Sequence, residues 1–332
     1  MMSPSATTSA PGLTSPNTTT VDGKRYVKPT FKERLVAWWE GYELQLKAVD
    51  DVAIKNKDRD PVETERESRY SPRIECLIQV WGEGFVSAGD AEFCCDLVRP
   101  IGLTDELSML DLGAGLGGPA RAIPKEFGVW IAGMENDREF AKVGMEMSTA
   151  AGMAKKAPVS IFDPEQADLP ERKYDCVFSK ELLYRVQDKH ELARRIEKSL
   201  KYGGHLLCVD FVAADGRRNK PPLKQWSAEE PTRPFLFTAG QMNDMMIESG
   251  LEPRVARDIT EDYLEQVKRT WNNWQQIIEA IGEFSNKDDI MQALLSELQL
   301  WTRRSEVIEG GDLKVYSFHS TKRSSAKSMS DW

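Results

Sequence analysis

Residues 109–118 read Met-Leu-Asp-Leu-Gly-Ala-Gly-Leu-Gly-Gly, an apolar run that becomes a glycine loop and leads into a helix-like stretch, Pro119 to Phe127. A dinucleotide-binding loop keeps its third glycine three residues after the second, so that helix and strand pack closely. Here the spacing is instead Asp111-x-Gly113-x-Gly115-x-Gly117, with an acid at the end of the strand. Glycine at these positions lets a ligand approach the backbone closely, and Asp111 can accept from a cationic amino group nearby.

Working outward, apolar runs recur. Val129 to Glu135 ends in a carboxylate at the distance, about 20 residues after the loop, where doubly wound folds place the acid that holds ribose hydroxyls. Glu135 is therefore the expected ribose ligand. Pro158 to Phe162 ends in Asp163, while Tyr174 to Ser179 and His205 to Val212 bracket a helical stretch, Lys189 to Lys201, closed by Tyr202-Gly203-Gly204. Strands and helices alternating in this way predict an α/β fold with a parallel sheet and ligands at the carboxyl ends of its strands.

The chain has 332 residues, enough for a full core, and its 40% hydrophobic and 29% charged content is that of a soluble protein. No stretch approaches the roughly 18 uninterrupted apolar residues of a spanning helix. The Ser/Thr/Pro-rich start lacks a basic region and an apolar core, so it reads as a disordered tail rather than a secretory signal, and Thr321 to Trp332 reads the same way. Cys76, Cys94, Cys95, Cys176 and Cys208 form no CxxC pair, which fits reduced thiols in cytoplasm. With His190, His205 and His319 as the only histidines and no ligand spacing, no metal site is expected. A net charge of -9 argues against nucleic acid, whose phosphates need a basic face, and favours a small-molecule partner.

Phe31 to Leu46 places Phe31, Leu35, Trp38, Trp39, Tyr42 and Leu46 at helical spacing, with Lys24, Arg25, Lys28 and Lys32 at or before its start. Two readings fit: a cap helix on the core, or a helix lying on the inner face of a membrane with its Trp pair among headgroups. Lys55 to Arg73, dense in both charges and containing Pro61 and Pro72, reads as a solvated connector.

The loop at 111–117 resembles that of class I S-adenosylmethionine-dependent methyltransferases. Trp81 to Gly89 (WGEGFVSAG) and Ser179 to Lys189 (SKELLYRVQDK) are similar to segments of phosphoethanolamine N-methyltransferases, as are Val209-Asp-Phe, Gly240-Gln-Met and Arg257 to Asp262. The loop LDLGAGLGGPAR and the ending from Trp301 through Glu309 to Phe318 also resemble glycine, sarcosine and dimethylglycine N-methyltransferases. This resemblance covers residues 74–320 and implies a Rossmann-like, doubly wound, mostly parallel sheet of seven strands. It divides the chain into a disordered tail (1–24), a helical N-terminal cap with a substrate-site segment (25–95), the methyltransferase domain (96–320) with lid insertions near 213–238 and 261–304, and a second tail (321–332).

The same resemblance implies S-adenosylmethionine as cofactor, bound by Asp111, Gly113, Gly115, Gly117, Glu135 and Ser179, with Asp163 facing the adenine amino group. An Asp and a His that relatives place near the substrate amine fall on Glu181 and Arg185. A tyrosine of some relatives falls on Phe85, where others have phenylalanine. Arg233 matches an arginine that helps hold substrate phosphate, but the neighbouring tyrosine falls on Phe235. Trp81 and Phe211 are further expected substrate contacts, able to face an onium product through cation-π contact. Two readings fit Glu181 and Arg185, four residues apart: a plain helical salt bridge, or Arg185 holding a substrate carboxylate by a bidentate contact while Glu181 neutralises a developing cation. Tyr184 reads either as a hydroxyl near the cofactor or as a core residue.

Methyl transfer from a sulfonium is an in-line displacement, accelerated mainly by holding the acceptor at near-attack distance. A histidine suits deprotonation of an amine, whereas the guanidinium at 185 stays protonated. The expected function is methylation of a small amine of phosphobase or glycine-betaine type. The alternatives are S-methylation of a thioether acid, methylation of a lipid headgroup, and a cofactor-binding regulator without activity.

Overall fold

The computed structural model describes residues 66–324 throughout and, ahead of them, the backbone of three short strands; the chain divides into two units, residues 1–64 and 65–332. In the first unit β1 (Thr18–Val21) and β2 (Lys24–Val27) pair antiparallel, and β2 pairs antiparallel with β3 (Lys47–Ala48). Thr18–Val21 is thus a strand where a disordered tail was expected. The Trp-bearing helix expected over Phe31 to Leu46 lies outside the described residues, and its membrane-surface reading with it.

The second unit begins with α1 (Pro72–Trp81) and α2 (Ala91–Val98). Pro72 opens α1, where its missing N–H costs nothing, and Asp90 caps α2 by accepting from the Phe93 amide. The alternating series follows: β4 (Ser108–Leu112), α3 (Gly118–Phe127), β5 (Trp130–Glu135), α4 (Arg138–Ala150), β6 (Val159–Ile161), β7 (Tyr174–Lys180), α5 (Lys189–Ser199) and β8 (Leu200–Ala213). Then come α6 (Pro221–Glu229), α7 (Ala239–Glu248), β9 (Leu251–Asp258), α8 (Thr260–Asn272), α9 (Trp274–Gly282), α10 (Lys287–Glu309) and β10 (Leu313–Lys322).

β4 to β10 form one seven-stranded sheet in the order β6-β5-β4-β7-β8-β10-β9. Pairing is parallel from β6 through β8, and β10 runs antiparallel between β8 and β9. The strand order reverses beside β4, so β4 and β7 open a crevice at their carboxyl ends, where doubly wound folds bind ligands. Period-two alternation sends Leu110, Leu112, Val177, Leu206 and Cys208 into one core layer and Met109, Cys176, Phe178 and Leu207 into the other. Burying both faces makes β4 and β7 rigid supports for what projects from their ends.

Several boundaries differ from the sequence reading. The helix expected to Lys201 ends at Ser199, because Leu200 already pairs with Tyr174 in the sheet. The helical stretch expected over 261–304 is three helices, α8, α9 and α10. β10 runs to Lys322, two residues into the stretch read as a second tail. All five cysteines are free and buried, and burial pushes the Cys94 thiol up to about 12. Among the described residues no helix is long and apolar enough to cross a membrane, and no group of three or more His, Cys, Asp or Glu could hold a metal.

Candidate active site

The loop between β4 and α3 is held by the next strand. Gly113 and Ala114 donate their amides to the Met134 carbonyl at 2.8 and 3.1 Å, and Gly115 donates to Oε2 of Glu135 at 2.8 Å. The other Glu135 oxygen accepts the Asp137 amide at 2.7 Å. The upstream segment joins the same loop, since the Gly118 amide donates to the Gly84 carbonyl at 2.8 Å. Phe85, Val86 and Ser87 are thereby placed over the glycines.

The glycines do different work. Gly115 has φ of 56°, and a Cβ there would meet Cγ2 of Val86 at 2.9 Å; Gly113 and Gly115 line the cavity above the loop. Gly117, with φ of 76°, is not in that wall: a Cβ there would meet Arg121 Nη1 at 2.7 Å and Val159 Cγ2 at 2.9 Å. Its space is taken by the turn into α3 and the close approach of α3 to β6.

The cavity encloses about 700 Å³ of non-atom space, counting its open mouth, and its wall includes Phe85, Asp111, Gly113, Gly115, Glu135, Glu181 and Arg185. An adjoining cavity contains Asp163 and shares Asn136, Leu182 and Arg185 with the first. Asp111 is buried, and its Oδ2 has no hydrogen-bond partner among the described residues. Burial foremost, and then the charge of Glu135, push its carboxyl up to about 7, against a smaller opposite pull from Lys180. Burial likewise raises Glu135, although the amides of Asp137 and Gly115 oppose it.

Glu181 follows β7 with a φ of 56°, a left-handed conformation that a non-glycine residue keeps only where its surroundings impose it. Its amide donates to the Val209 carbonyl at 2.8 Å. Its Oε1 accepts from Lys180 Nζ at 2.6 Å, Ser87 Oγ at 2.9 Å and Tyr263 Oη at 2.7 Å. Burial alone would raise this carboxyl, but Lys180 and then the Tyr263 hydroxyl outweigh it and hold it below the ordinary range. Glu181 is thus an anion in the cavity wall, a weak base suited to facing positive charge.

The helical salt bridge from Glu181 to Arg185 does not form. Residues 183–185 make a 3-10 turn, Glu181 pairs with Lys180, and Arg185 Nε donates to its neighbour Tyr184 at 2.6 Å. From α10, Arg304 Nη2 reaches the same Tyr184 hydroxyl at 3.3 Å and binds Glu230 through Nε and Nη2 at 2.8 and 2.6 Å. Tyr184 is buried and carries two cations on one oxygen.

Four other expected contacts fall outside both cavity walls. Trp81 is buried against Trp271 and Trp301, with ring centroids 6.0 and 4.9 Å away, and donates its indole N–H to Glu297 at 2.8 Å. Phe211 lies edge-on to Tyr184 and Tyr263, at 5.1 and 5.9 Å, so it supports those rings instead of facing the cavity. Arg233 is exposed, its guanidinium over the Phe235 ring at 5.3 Å. Ser179 is fully buried at the end of β7, and its Oγ has no partner among the described residues.

Sequence reasoning missed Ser87, Lys180, Tyr263 and Arg304. Ser87 and Lys180 sit within segments already singled out, and the Lys-Glu pair at a strand end was the signal available. Tyr263 and Arg304 reach Glu181 and the cavity from helices remote in sequence, with no local pattern to mark them.

A strand–glycine loop–helix unit beside a buried acid, at the switch point of this sheet, defines the class. Residues 87–254, just over half the chain, match the family model described as a methyltransferase domain, and the chain belongs to that family. It is similar to phosphoethanolamine N-methyltransferase 3 of Arabidopsis thaliana, at 28% identity over 66% of this chain and 44% of that protein. It is also similar to the phosphoethanolamine N-methyltransferase of Plasmodium falciparum, at 22% identity over 76% of this chain and 92% of that one. The chain spans about half the length of the plant relatives it matches. Phosphoethanolamine N-methyltransferase 2 of Haemonchus contortus, solved with S-adenosyl-L-methionine, shares the fold with a TM-score of 0.66 at 21% identity, over 75% of this chain and 56% of that one.

Proposed function

We propose that this protein transfers a methyl group from S-adenosylmethionine to a small amine of phosphobase or glycine-betaine type. The observation that carries the reading is Asp111: a buried carboxylate oxygen without a partner, at the end of β4, in a wall of glycine backbone. A ligand bringing a cationic amino group supplies the missing counter-charge. The Glu135 oxygens each accept one backbone amide and keep lone pairs for hydroxyl donors such as those of a ribose. Asp163, in the adjoining cavity, is the acid assigned to the adenine side. When bound, the cofactor supplies an electrophilic methyl group.

The chain's own residues act mainly by positioning. No histidine is in either cavity wall among the described residues, and Glu181 is held ionised, so the acceptor is an amine arriving unprotonated. Glu181 faces the positive charge that develops on its nitrogen, and Phe85 contributes an aromatic face to the same wall. Arg304 from α10 lines the wall and Tyr263 from α8 holds Glu181 in it, which supports reading residues 261–304 as a lid on the methyltransferase domain. Holding the acceptor and excluding water supply the acceleration. Five free, buried thiols fit a reducing compartment, so the reaction is assigned to the cytoplasm.

Calorimetry with S-adenosylmethionine and S-adenosylhomocysteine tests the reading, followed by labelled-methyl transfer to ethanolamine phosphates and to glycine and its methylated forms. Absence of binding to either cofactor form refutes it.

A further inference from the structure

Residues 162–173, which join β6 to β7, form neither helix nor strand, yet Asp163, Pro164 and Glu165 among them line the adjoining cavity. β6 gives them little support, being three residues long and the edge of the sheet. The loop is held instead from α5. Arg195 of that helix donates from Nη2 to the Pro164 carbonyl at 2.7 Å and from Nη1 to the Ala167 carbonyl. In return the Glu165 carboxylate accepts the Gln187 and Asp188 amides at 2.6 and 3.3 Å, where the chain enters α5.

Packing alone does not account for an arginine here. Arg195 is buried, and its Nε has no hydrogen-bond partner among the described residues. Its ion-pair contact, Glu191, is half-exposed and 4.0 Å away. A cation so placed is costly to bury, and an apolar side chain would fill the same space at less cost. What the rigid guanidinium fork adds is a two-point grip on one turn. Within that turn the Asp163 carbonyl accepts the Gln166 and Ala167 amides at 3.3 and 2.9 Å, and Asp163 Oδ1 accepts the Glu165 amide at 2.9 Å. Among the described residues no donor reaches the other Asp163 oxygen, and this residue belongs to the cavity wall.

We infer that Arg195 is a positioning residue for the methyl donor: by clamping the Pro164 and Ala167 carbonyls it holds the Asp163 carboxylate where it meets the donor's base. This rests on the methyl-transfer reading and adds to it a residue outside both cavity walls that sets how sharply the base is read. An ionised carboxylate only accepts hydrogen bonds. Held in place, Asp163 takes the N–H of a 6-amino purine and is set against the carbonyl oxygen of a 6-oxo purine. Released from the clamp, the same carboxylate moves with its loop and discriminates less.

The test is calorimetric titration of the full chain with S-adenosylhomocysteine and with S-inosylhomocysteine, which differ only in the 6-substituent of the base. Wild type binds the adenosyl compound about tenfold or more tightly. Arg195→Met keeps the apolar stem and removes the clamp; it loses most of that preference through weaker binding of the adenosyl compound, while affinity for the inosyl compound stays within about threefold. Arg195→Lys, with one point of grip, keeps part of the preference and serves also where the methionine variant does not fold. Asp163→Ala loses the preference, and adding Arg195→Met to it changes the preference no further, as required of a residue that acts through Asp163. Equal binding of the two compounds by wild type, or an unchanged preference in the folded Arg195 variants, overturns the inference. A proportionate loss of affinity for both compounds also overturns it, by reducing Arg195 to a structural residue. A wild-type protein that binds neither compound is a different result: it refutes the methyl-transfer reading itself, and the inference falls with it.

Discussion

The Tyr263 hydroxyl, on α8, donates at 2.7 Å to Oε1 of Glu181, which follows β7, so a helix near the end of the chain holds the carboxylate of a strand end 82 residues before it. The same oxygen receives Lys180 and Ser87. Glu181 is therefore oriented by groups from three elements, and none of them is its helical neighbour Arg185.

Tyr263→Phe removes one of three donors to a buried carboxylate. A hydrogen bond to a charged group contributes about 1.5–3 kcal/mol, so the variant loses stability of that order in urea unfolding. Methyl transfer falls with little change in cofactor affinity, because the hydroxyl serves Glu181 and not the glycine loop. A parallel loss of S-adenosylmethionine affinity would contradict this division of roles.

Cofactor affinity rises with pH through the Asp111 range. Its carboxyl titrates at about 7 in the folded protein, so below that pH the site holds a neutral acid that pairs poorly with an ammonium. The stability sign is opposite. A carboxyl raised above its unfolded value near 4 gives stability that is fully present below that value and is lost as pH rises through about 7. Asp111→Asn is then more stable than wild type at pH 8, by an amount on the order of a few kcal/mol, while binding S-adenosylmethionine poorly at every pH. Asp210, also pushed up to about 7, is present in both proteins and drops out of the difference.

Glycines 115 and 117 separate on substitution. Gly117→Ala strains a left-handed residue and drives a methyl group against Val159 and Arg121, costing about 1–3 kcal/mol of stability. Gly115→Ala presses on Val86 inside the cavity wall and lowers cofactor affinity as well. Thermal unfolding with and without S-adenosylhomocysteine distinguishes them: the ligand-induced rise in Tm persists in Gly117→Ala and shrinks in Gly115→Ala.

Glu230→Ala leaves Arg304 buried beside Arg185 without a counter-ion. Breaking a buried pair from one side costs about 3–5 kcal/mol, so a large drop in the urea midpoint is expected. A drop under about 1 kcal/mol would show that the pair is relieved by rearrangement or water.

The α/β class, the strand carrying Asp111 and the acid ending β5 were legible because each is a local pattern: an apolar run, glycines at set spacing, a carboxylate at a strand end. Local pattern could not place Trp81 and Phe211, which lie outside both cavity walls, since an aromatic residue beside a site and one supporting it have the same sequence neighbourhood. Ring packing sends Trp81 towards Glu297 and Trp301, and Phe211 beneath two tyrosines. Glu181 and Arg185, expected at the site, both line the cavity, while the helical salt bridge that their spacing also allowed is broken by a left-handed residue and a 3-10 turn.

By itself the sequence determined the sheet, its crevice and the glycine-and-acid wall, because backbone conformation and burial period are written residue by residue. Tertiary structure alone decided which charges meet there. Besides the adjacent Lys180, Glu181 is met by Ser87 and Tyr263, and the Tyr184 hydroxyl that holds Arg185 is also met by Arg304. Ser87, Tyr263 and Arg304 are remote positions that approach when the segment after α1 and the helices α8 and α10 pack on the sheet. Electrostatic pairing depends on distance in space, and no local pattern in the chain encodes it.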